Sequence, residues 1–251
     1  MTLKFHSRVI GHRGACGYAP ENTMASFIKA AQLNLKWVEF DVMQSSDGIP
    51  VIFHDDDLDR TTNARGLLCS QPYAYLQSLD AGKWFNTAFS GERIPSLMTV
   101  IAFLQEAHIA ANIEIKTLSQ HEENLVKHVI REMQPYLQKA NDNYLFSSFS
   151  FEALRLLRRY APNCQLGMLL HDWEKNWREI SDELQCVSIN VNERIMTETM
   201  AREIKEQGKW LLCYTVNDPA RAQELFSWGV DAVFSDVPDR IGEYYGELSS
   251  Q

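Results

Sequence analysis

The order of elements constrains this chain most: short apolar runs alternate with amphipathic stretches eight times. Strand-like runs fall at 8–11, 37–43, 111–116, 144–148, 165–170, 186–191, 210–216 and 232–235. Helix-like stretches follow them near 22–33, 96–108, 122–137, 151–160, 173–183, 197–207, 219–228 and 239–245. Strand then helix, repeated eight times in 251 residues, implies a closed parallel (β/α)8 TIM barrel rather than an open sheet. The whole chain, 1–251, reads as a single barrel domain. One connection, 44–110, is too long for a simple barrel loop. It contains a further apolar run at 50–54 and a Tyr-, Trp- and Phe-rich stretch at 73–89, and so reads as a small folded insertion between the second and third barrel strands, packed over one end of the barrel.

Charge inside the strands is the first functional signal. In Trp37-Val38-Glu39-Phe40-Asp41-Val42 the apolar residues share one face, and Glu39 and Asp41 share the other. Asn112-Ile113-Glu114-Ile115-Lys116 repeats the pattern, with Asn112, Glu114 and Lys116 in one phase. If the apolar sets lie under helices, three carboxylates point into a low-dielectric interior with only Lys116 nearby to offset them, and unpaired ions there are costly. A divalent cation resolves that imbalance, and hard Mg²⁺ or Ca²⁺ prefers oxygen ligands. An exposed strand face is the plain reading of Glu39-Phe40-Asp41 alone; the second strand in the same phase reverses it.

His12 directly follows the first strand-like run and His54 ends the run at 50–54, so both are candidates for moving protons near neutral pH. His6, His108, His121, His128 and His171 read as surface or satisfied residues. Arg13, next to His12, suits a phosphate oxygen, or alternatively a salt bridge to one of the clustered carboxylates. Asn22 or Thr23 is expected to cap the first helix, and Glu21 is left open between loop and site.

Composition narrows the partners. A net charge of −9, without any Lys/Arg run, argues against nucleic acid or an anionic membrane surface. The five cysteines show neither close pairing nor zinc spacing and read as reduced thiols. With no apolar stretch long enough to span a membrane and no signal-like apolar segment at the N-terminus, a cytoplasmic location is expected. Self-association into a homo-oligomer stays open.

The motifs together resemble the glycerophosphodiester phosphodiesterases, nearly end to end. They are His12-Arg13-Gly14, Pro20-Glu21-Asn22-Thr23, Glu39-Phe40-Asp41-Val42, Asp47-Gly48, His54-Asp55, Leu58-Asp59-Arg60-Thr61-Thr62, Asp80-Ala81-Gly82-Lys83-Trp84-Phe85, Ile94-Pro95-Ser96-Leu97, Asn112-Ile113-Glu114-Ile115-Lys116, Ser148-Phe149, Tyr214-Thr215-Val216-Asn217, and the run from Asp231 to Pro238. The resemblance implies metal-dependent hydrolysis of a glycerophosphodiester to sn-glycerol 3-phosphate and an alcohol, within glycerol and lipid metabolism. It implies metal ligands at Glu39, Asp41 and Glu114, catalytic histidines at His12 and His54, phosphate contacts from Arg13 and Lys116, and Trp84 along the substrate groove. It also implies attack by the substrate's own glycerol 2-hydroxyl. Tyr214 stands where the family usually has Trp, which bears on the wall that meets the glycerol or the alcohol. Rival readings are a lysophospholipase D-like or sphingomyelinase-type enzyme acting on a lipid, a metal-free phosphatidylinositol phospholipase C, and a non-catalytic binding barrel.

Overall fold

The computed structural model describes residues 7–117, 122–137 and 143–244. His6, His121 and Tyr245 of the expectations above lie outside them. In chain order the strands are β1 (Val9–Gly11), β2 (Trp37–Gln44), β3 (Pro50–Ile52), β4 (Ala110–Ile115), β5 (Tyr144–Ser148), β6 (Gln165–Leu170), β7 (Ser188–Asn192), β8 (Trp210–Tyr214) and β9 (Ala232–Ser235). The helices are α1 (Met24–Gln32), α2 (Tyr73–Leu76), α3 (Leu97–Glu106), α4 (Glu122–Leu137), α5 (Phe151–Tyr160), α6 (Trp177–Glu183), α7 (Glu198–Glu206), α8 (Pro219–Ser227) and α9 (Pro238–Tyr244). All strands but β3 run parallel, and β1 closes the ring by pairing with both β2 and β9. The fold is thus the expected (β/α)8 barrel.

Local chemistry sets the helix starts. Ser96, Ser150, Thr197 and Asp218 each accept a hydrogen bond from a backbone N–H in the first turn of α3, α5, α7 and α8, and Pro219 occupies the opening position of α8. Helix α6 begins at Trp177, later than expected, and Trp173 packs beside Trp177 with ring centroids 5.8 Å apart.

The strand period of two divides each barrel strand between two environments. Val38, Phe40, Val42, Ile113 and Ile115 join the main core under the helices, where Phe27 of α1 meets Phe40 edge-on at 5.6 Å. In the opposite phase, Ile10, Trp37, Leu145, Leu212 and Phe234 fill the barrel's interior. Farther along β2 and β4, that same interior phase carries Glu39, Asp41, Asn112 and Glu114.

The long connection after β2 divides in two. β2 overruns into a hairpin with β3, Val42 opposite Ile52 and Gln44 opposite Pro50. Met43, Val51, Phe53, Leu58, Leu68, Leu76, Leu79, Ala81 and Ile94 then form a core of their own. By contrast α3 packs Leu97, Val100, Ile101 and Leu104 into the main core as a barrel helix.

After β1 the chain turns sharply. Gly14 has φ +89°, and a Cβ there would stand 2.4 Å from Ser26 Oγ and 2.8 Å from the Ser26 carbonyl carbon. That turn carries His12 and Arg13. Gly14→Ala should lower the unfolding free energy by about 1–3 kcal/mol from backbone strain alone, read by urea denaturation, and should lower activity as the turn shifts.

Candidate active site

The side chains that the sequence singled out meet at the C-terminal ends of the strands, the end where barrels place their active sites. His12, Arg13, Glu39, His54, Asn112, Glu114, Phe149, His171 and Tyr214 are among the residues lining a cleft of ≈ 230 Å³. Strand register brings the carboxylates together. Asp41 lies opposite Glu114, and Glu39 lies opposite Asn112. One oxygen from each of Glu39, Asp41 and Glu114 falls within 4.8 Å of the others. All three are buried, at 4%, 1% and 8% exposure, so this is no solvated strand face.

Their partners are unevenly supplied. The Arg13 backbone N–H donates to Glu39 Oε2 at 3.1 Å, and Asn22 Nδ2 donates to Asp41 Oδ2 at 2.9 Å. The Lys116 ammonium lies 3.6 Å from Glu114 Oε1. Glu39 Oε1 and Glu114 Oε1 are buried without a hydrogen bond. Burial, then the charge of Asp41, pushes Glu114 up to about 8 and raises Glu39 well above its ordinary value. Burial acts on Asp41 too, but Arg13, His54, Lys116 and the Asn22 amide outweigh it and hold Asp41 below its ordinary value. Three buried carboxylates with open oxygens fit a hard divalent cation.

The histidines share one design. His12 Nδ1 lies 2.6 Å from Asp236 Oδ1, and His54 Nδ1 lies 2.6 Å from Asp55 Oδ1. A carboxylate on Nδ1 fixes the tautomer, leaving Nε2 to the cleft. His12 Nε2 lies 3.9 Å from Glu39 Oε2, whereas His54 Nε2 lies 3.2 Å from Lys116 Nζ. Burial first, then Arg13 and Lys116, lowers His54 below its ordinary value against the pull of Asp41.

Arg13 takes the salt-bridge reading, with Nη1 2.6 Å from Glu21 Oε1 and Nε 3.4 Å from Asp41 Oδ2, and it also lines the cleft. Glu21 does reach back. It joins Arg13 to Arg60, which grips Asp55 through Nε at 2.6 Å and Nη2 at 2.9 Å. Trp84 presents its ring to the Arg60 guanidinium at 5.9 Å and anchors Nε1 on the Ala81 carbonyl, beside this network rather than among the residues lining the cleft.

Three sequence readings change. Asn22 is no helix cap: at φ 57° it turns its amide to Asp41. Thr23 holds the N-cap position, but its hydroxyl donates to the Pro20 carbonyl. His171 is exposed, as expected, yet lines the cleft because it directly follows β6. His128 instead pairs with Gln44, 2.7 Å away. Asp236 and Arg60, unassigned from sequence, emerge as braces. Asp236 carried a usable signal in following β9 directly, as His12 follows β1.

A (β/α)8 barrel with a carboxylate cluster and two braced histidines at its C-terminal mouth defines a class of hydrolytic barrel enzymes. The model of the glycerophosphoryl diester phosphodiesterase family matches residues 12–240. The solved structure of an Oleispira antarctica phosphodiesterase, in complex with the product sn-glycerol-3-phosphate, superposes with a TM-score of 0.92 at 37% identity, covering 96% of this chain and 97% of that one. A Bacillus subtilis glycerophosphodiester phosphodiesterase is 30% identical over 92% of this chain and 83% of its own length. One from Caldanaerobacter subterraneus is 29% identical over 93% and 95%. The chain belongs to the glycerophosphoryl diester phosphodiesterase family and is a phosphoric diester hydrolase.

The buried acids make a stability prediction. A carboxyl whose folded value is raised binds its proton more tightly in the native state, so stability falls as pH climbs from the ordinary 4.5 toward about 8. His54 is shifted downward and acts oppositely across its own range, so the effect is read as a difference. In chelating buffer, wild type should lose melting temperature relative to Glu114→Gln between about pH 5 and about pH 8. Parallel curves would contradict the raised Glu114.

Proposed function

We propose that the chain hydrolyses small glycerophosphodiesters to sn-glycerol 3-phosphate and an alcohol, with Glu39, Asp41 and Glu114 holding Mg²⁺ or Ca²⁺ and with His54 and His12 as base and acid. The observation that carries this is that two histidines, each braced at Nδ1 by an aspartate, open into the same cleft as the carboxylate cluster. The product complex of the Oleispira antarctica enzyme supports the substrate class. A divalent cation at the cluster supplies charge neutralisation for the phosphate oxygens.

The chain's own residues do the rest. Arg13 and Lys116 take the remaining phosphate oxygens and orient the diester. His54 Nε2 faces an ammonium, and burial holds the ring neutral, which leaves it a lone pair to accept the proton of the attacking hydroxyl. As the new oxygen–phosphorus bond forms, the bond to the alcohol oxygen breaks. His12 Nε2 then delivers a proton to that oxygen, its ring oriented by Asp236 at Nδ1. This gives a cyclic glycerol phosphate that water then opens to sn-glycerol 3-phosphate, with the two histidines exchanging roles. Trp84, through its contact with Arg60, supports the outer wall of the substrate groove. Free thiols at all five cysteines agree with a reducing, cytoplasmic setting. Among the described residues no helix is long and apolar enough to cross a membrane.

The deciding experiment is a panel of glycerophosphodiesters assayed with and without chelator, by coupled detection of glycerol 3-phosphate. Activity should vanish on chelation and return with Mg²⁺ or Ca²⁺. Glu114→Gln should lower kcat/KM about 10²-fold or more. Full activity after exhaustive chelation would refute the metal role. His12→Ala and His54→Ala should each lower kcat by roughly 10²–10⁴-fold. With a p-nitrophenyl diester, whose leaving oxygen needs little protonation, His12→Ala should recover while His54→Ala stays slow. Near-wild-type turnover in both variants on glycerophosphocholine would return the histidines to a structural role.

A further inference from the structure

Cys164, Cys186 and Cys213 are buried, whereas Cys16 and Cys69 are half-buried. Cys16 stands on the far side of His12 from the cleft's carboxylates. Its thiol donates to Asp236 Oδ1 at 3.0 Å and lies 3.9 Å from His12 Nδ1, which itself sits 2.6 Å from that same oxygen. Ligand atoms of all three residues fall within 4.8 Å of one another.

The backbone pins this trio. The His12 N–H donates to the Ser235 carbonyl and the Gly17 N–H to the Asp236 carbonyl, both at 2.9 Å, so the loop after β1 is fastened to the end of β9 on either side of Cys16. Asn217 Nδ2 holds the other Asp236 oxygen at 2.7 Å, which leaves Oδ1 directed at the histidine and the thiol. An oriented carboxylate backed by an amide is the kind of outer support that metal ligands have.

The donor chemistry differs from that of Glu39, Asp41 and Glu114. Three carboxylates favour hard cations, whereas imidazole, thiolate and one carboxylate favour Zn²⁺ and softer ions of similar size. Metal–sulfur and metal–nitrogen bonds of about 2.3 and 2.0 Å in a tetrahedral site separate sulfur from nitrogen by about 3.5 Å. The observed 3.9 Å contracts by about 0.4 Å, while the Nδ1–Oδ1 contact of 2.6 Å and the Sγ–Oδ1 contact of 3.0 Å open by about 0.7 and 0.5 Å.

We propose that His12 Nδ1, Cys16 Sγ and Asp236 Oδ1 form a second, thiophilic metal site that takes Zn²⁺ or Cd²⁺ and stops the reaction by capturing His12. On binding, the thiol proton leaves to solvent and the imidazole proton moves from Nδ1 to Nε2, and the metal is held by the Nδ1 lone pair, the thiolate and the carboxylate, with water in the open position. No oxidation is involved. His12 loses its aspartate brace and the freedom to carry a second proton, so Nε2 no longer serves as the acid. Burial and the neighbouring Asp236 keep the Cys16 thiol protonated well above its ordinary range, with Arg13 pulling the other way and Glu21 adding to the effect. The metal must displace that proton on binding.

Metal capture itself does not depend on the catalytic reading of His12; inhibition does. The protein is held in excess Mg²⁺ to occupy the carboxylates and titrated with Co²⁺, whose thiolate charge-transfer absorption in the near ultraviolet reports a metal–sulfur bond. Wild type should develop that absorption and Cys16→Ser should not. In parallel, the Zn²⁺ or Cd²⁺ concentration for half-inhibition should rise about tenfold or more in Cys16→Ser, with basal turnover unchanged. Cys16→Ala serves as the second variant if the serine form is unstable. Absorption that is missing in wild type, or equal in the variant, would overturn the site. Cys16-dependent absorption with equal inhibition of both proteins would overturn the switch.

Discussion

Three carboxylates converge at one end of two neighbouring strands, and the site is arranged around the problem that this creates. Asp41 and Glu114 are direct register partners in the sheet, a placement that is repulsive for like charges. Both are buried, and Glu39 adds a third charge one pleat away. The chain answers with groups from several distant segments: the Arg13 guanidinium and backbone N–H, the Asn22 amide and the Lys116 ammonium. Two carboxylate oxygens still lack partners. A local conflict of this kind, inside a fold that is otherwise consistent, marks a place shaped for function rather than stability.

Much of this was legible in the sequence, for a definite reason. A strand alternates faces with a period of two, so Glu39, Asp41 and Glu114 could be phased against Val38, Phe40 and Ile113 without any structure. The eight strand–helix pairs were readable because apolar runs are short and alternate with amphipathic stretches. What sequence could not supply was register between distant segments. Asp236 reaches His12 across 224 positions, and Arg60 reaches Glu21 across 39. Nothing in either local pattern names its partner. Asn22 looked like a cap because Asn commonly is one; its positive φ becomes visible only once Asp41 stands opposite. Cys16 looked like a small hydrophobe because the carboxylate its thiol donates to, Asp236, belongs to another strand end.

The insertion shows how a barrel gains a cleft side chain that its own strands cannot provide. His54 is not on a barrel strand. β2 overruns the barrel, and β3 folds back antiparallel, so that the Phe53 N–H donates to the Asp41 carbonyl at 3.0 Å. That return brings His54 down to the level of the carboxylates. The separate core of Met43, Phe53, Leu58, Leu76 and their neighbours holds the hairpin in place. Arg60, from the same segment, ties Asp55 to Glu21 and hence to Arg13. The insertion and the turn after β1 are therefore joined by one line of ion pairs that sets the positions of both histidines.

Charge balance connects this architecture to the proposed substrate. Glu39, Asp41 and Glu114 against Arg13 and Lys116 leave one formal negative charge among five groups, and in the metal-free state the raised proton affinity of Glu39 and Glu114 softens it. With a divalent cation among the carboxylates, the same five groups sum to one positive charge. A phosphodiester carries a single negative charge and cancels it. On the proposed function, Arg13 and Lys116, which pair with Asp41 and Glu114, would feel less of those carboxylates' pull once a cation is bound and would turn to phosphate oxygens. Lys116 also stands against His54 Nε2, so that turn would clear the nitrogen for the attacking hydroxyl. Loading the carboxylates, gripping the diester and exposing the proposed base would then be one coupled rearrangement of charge rather than three separate devices.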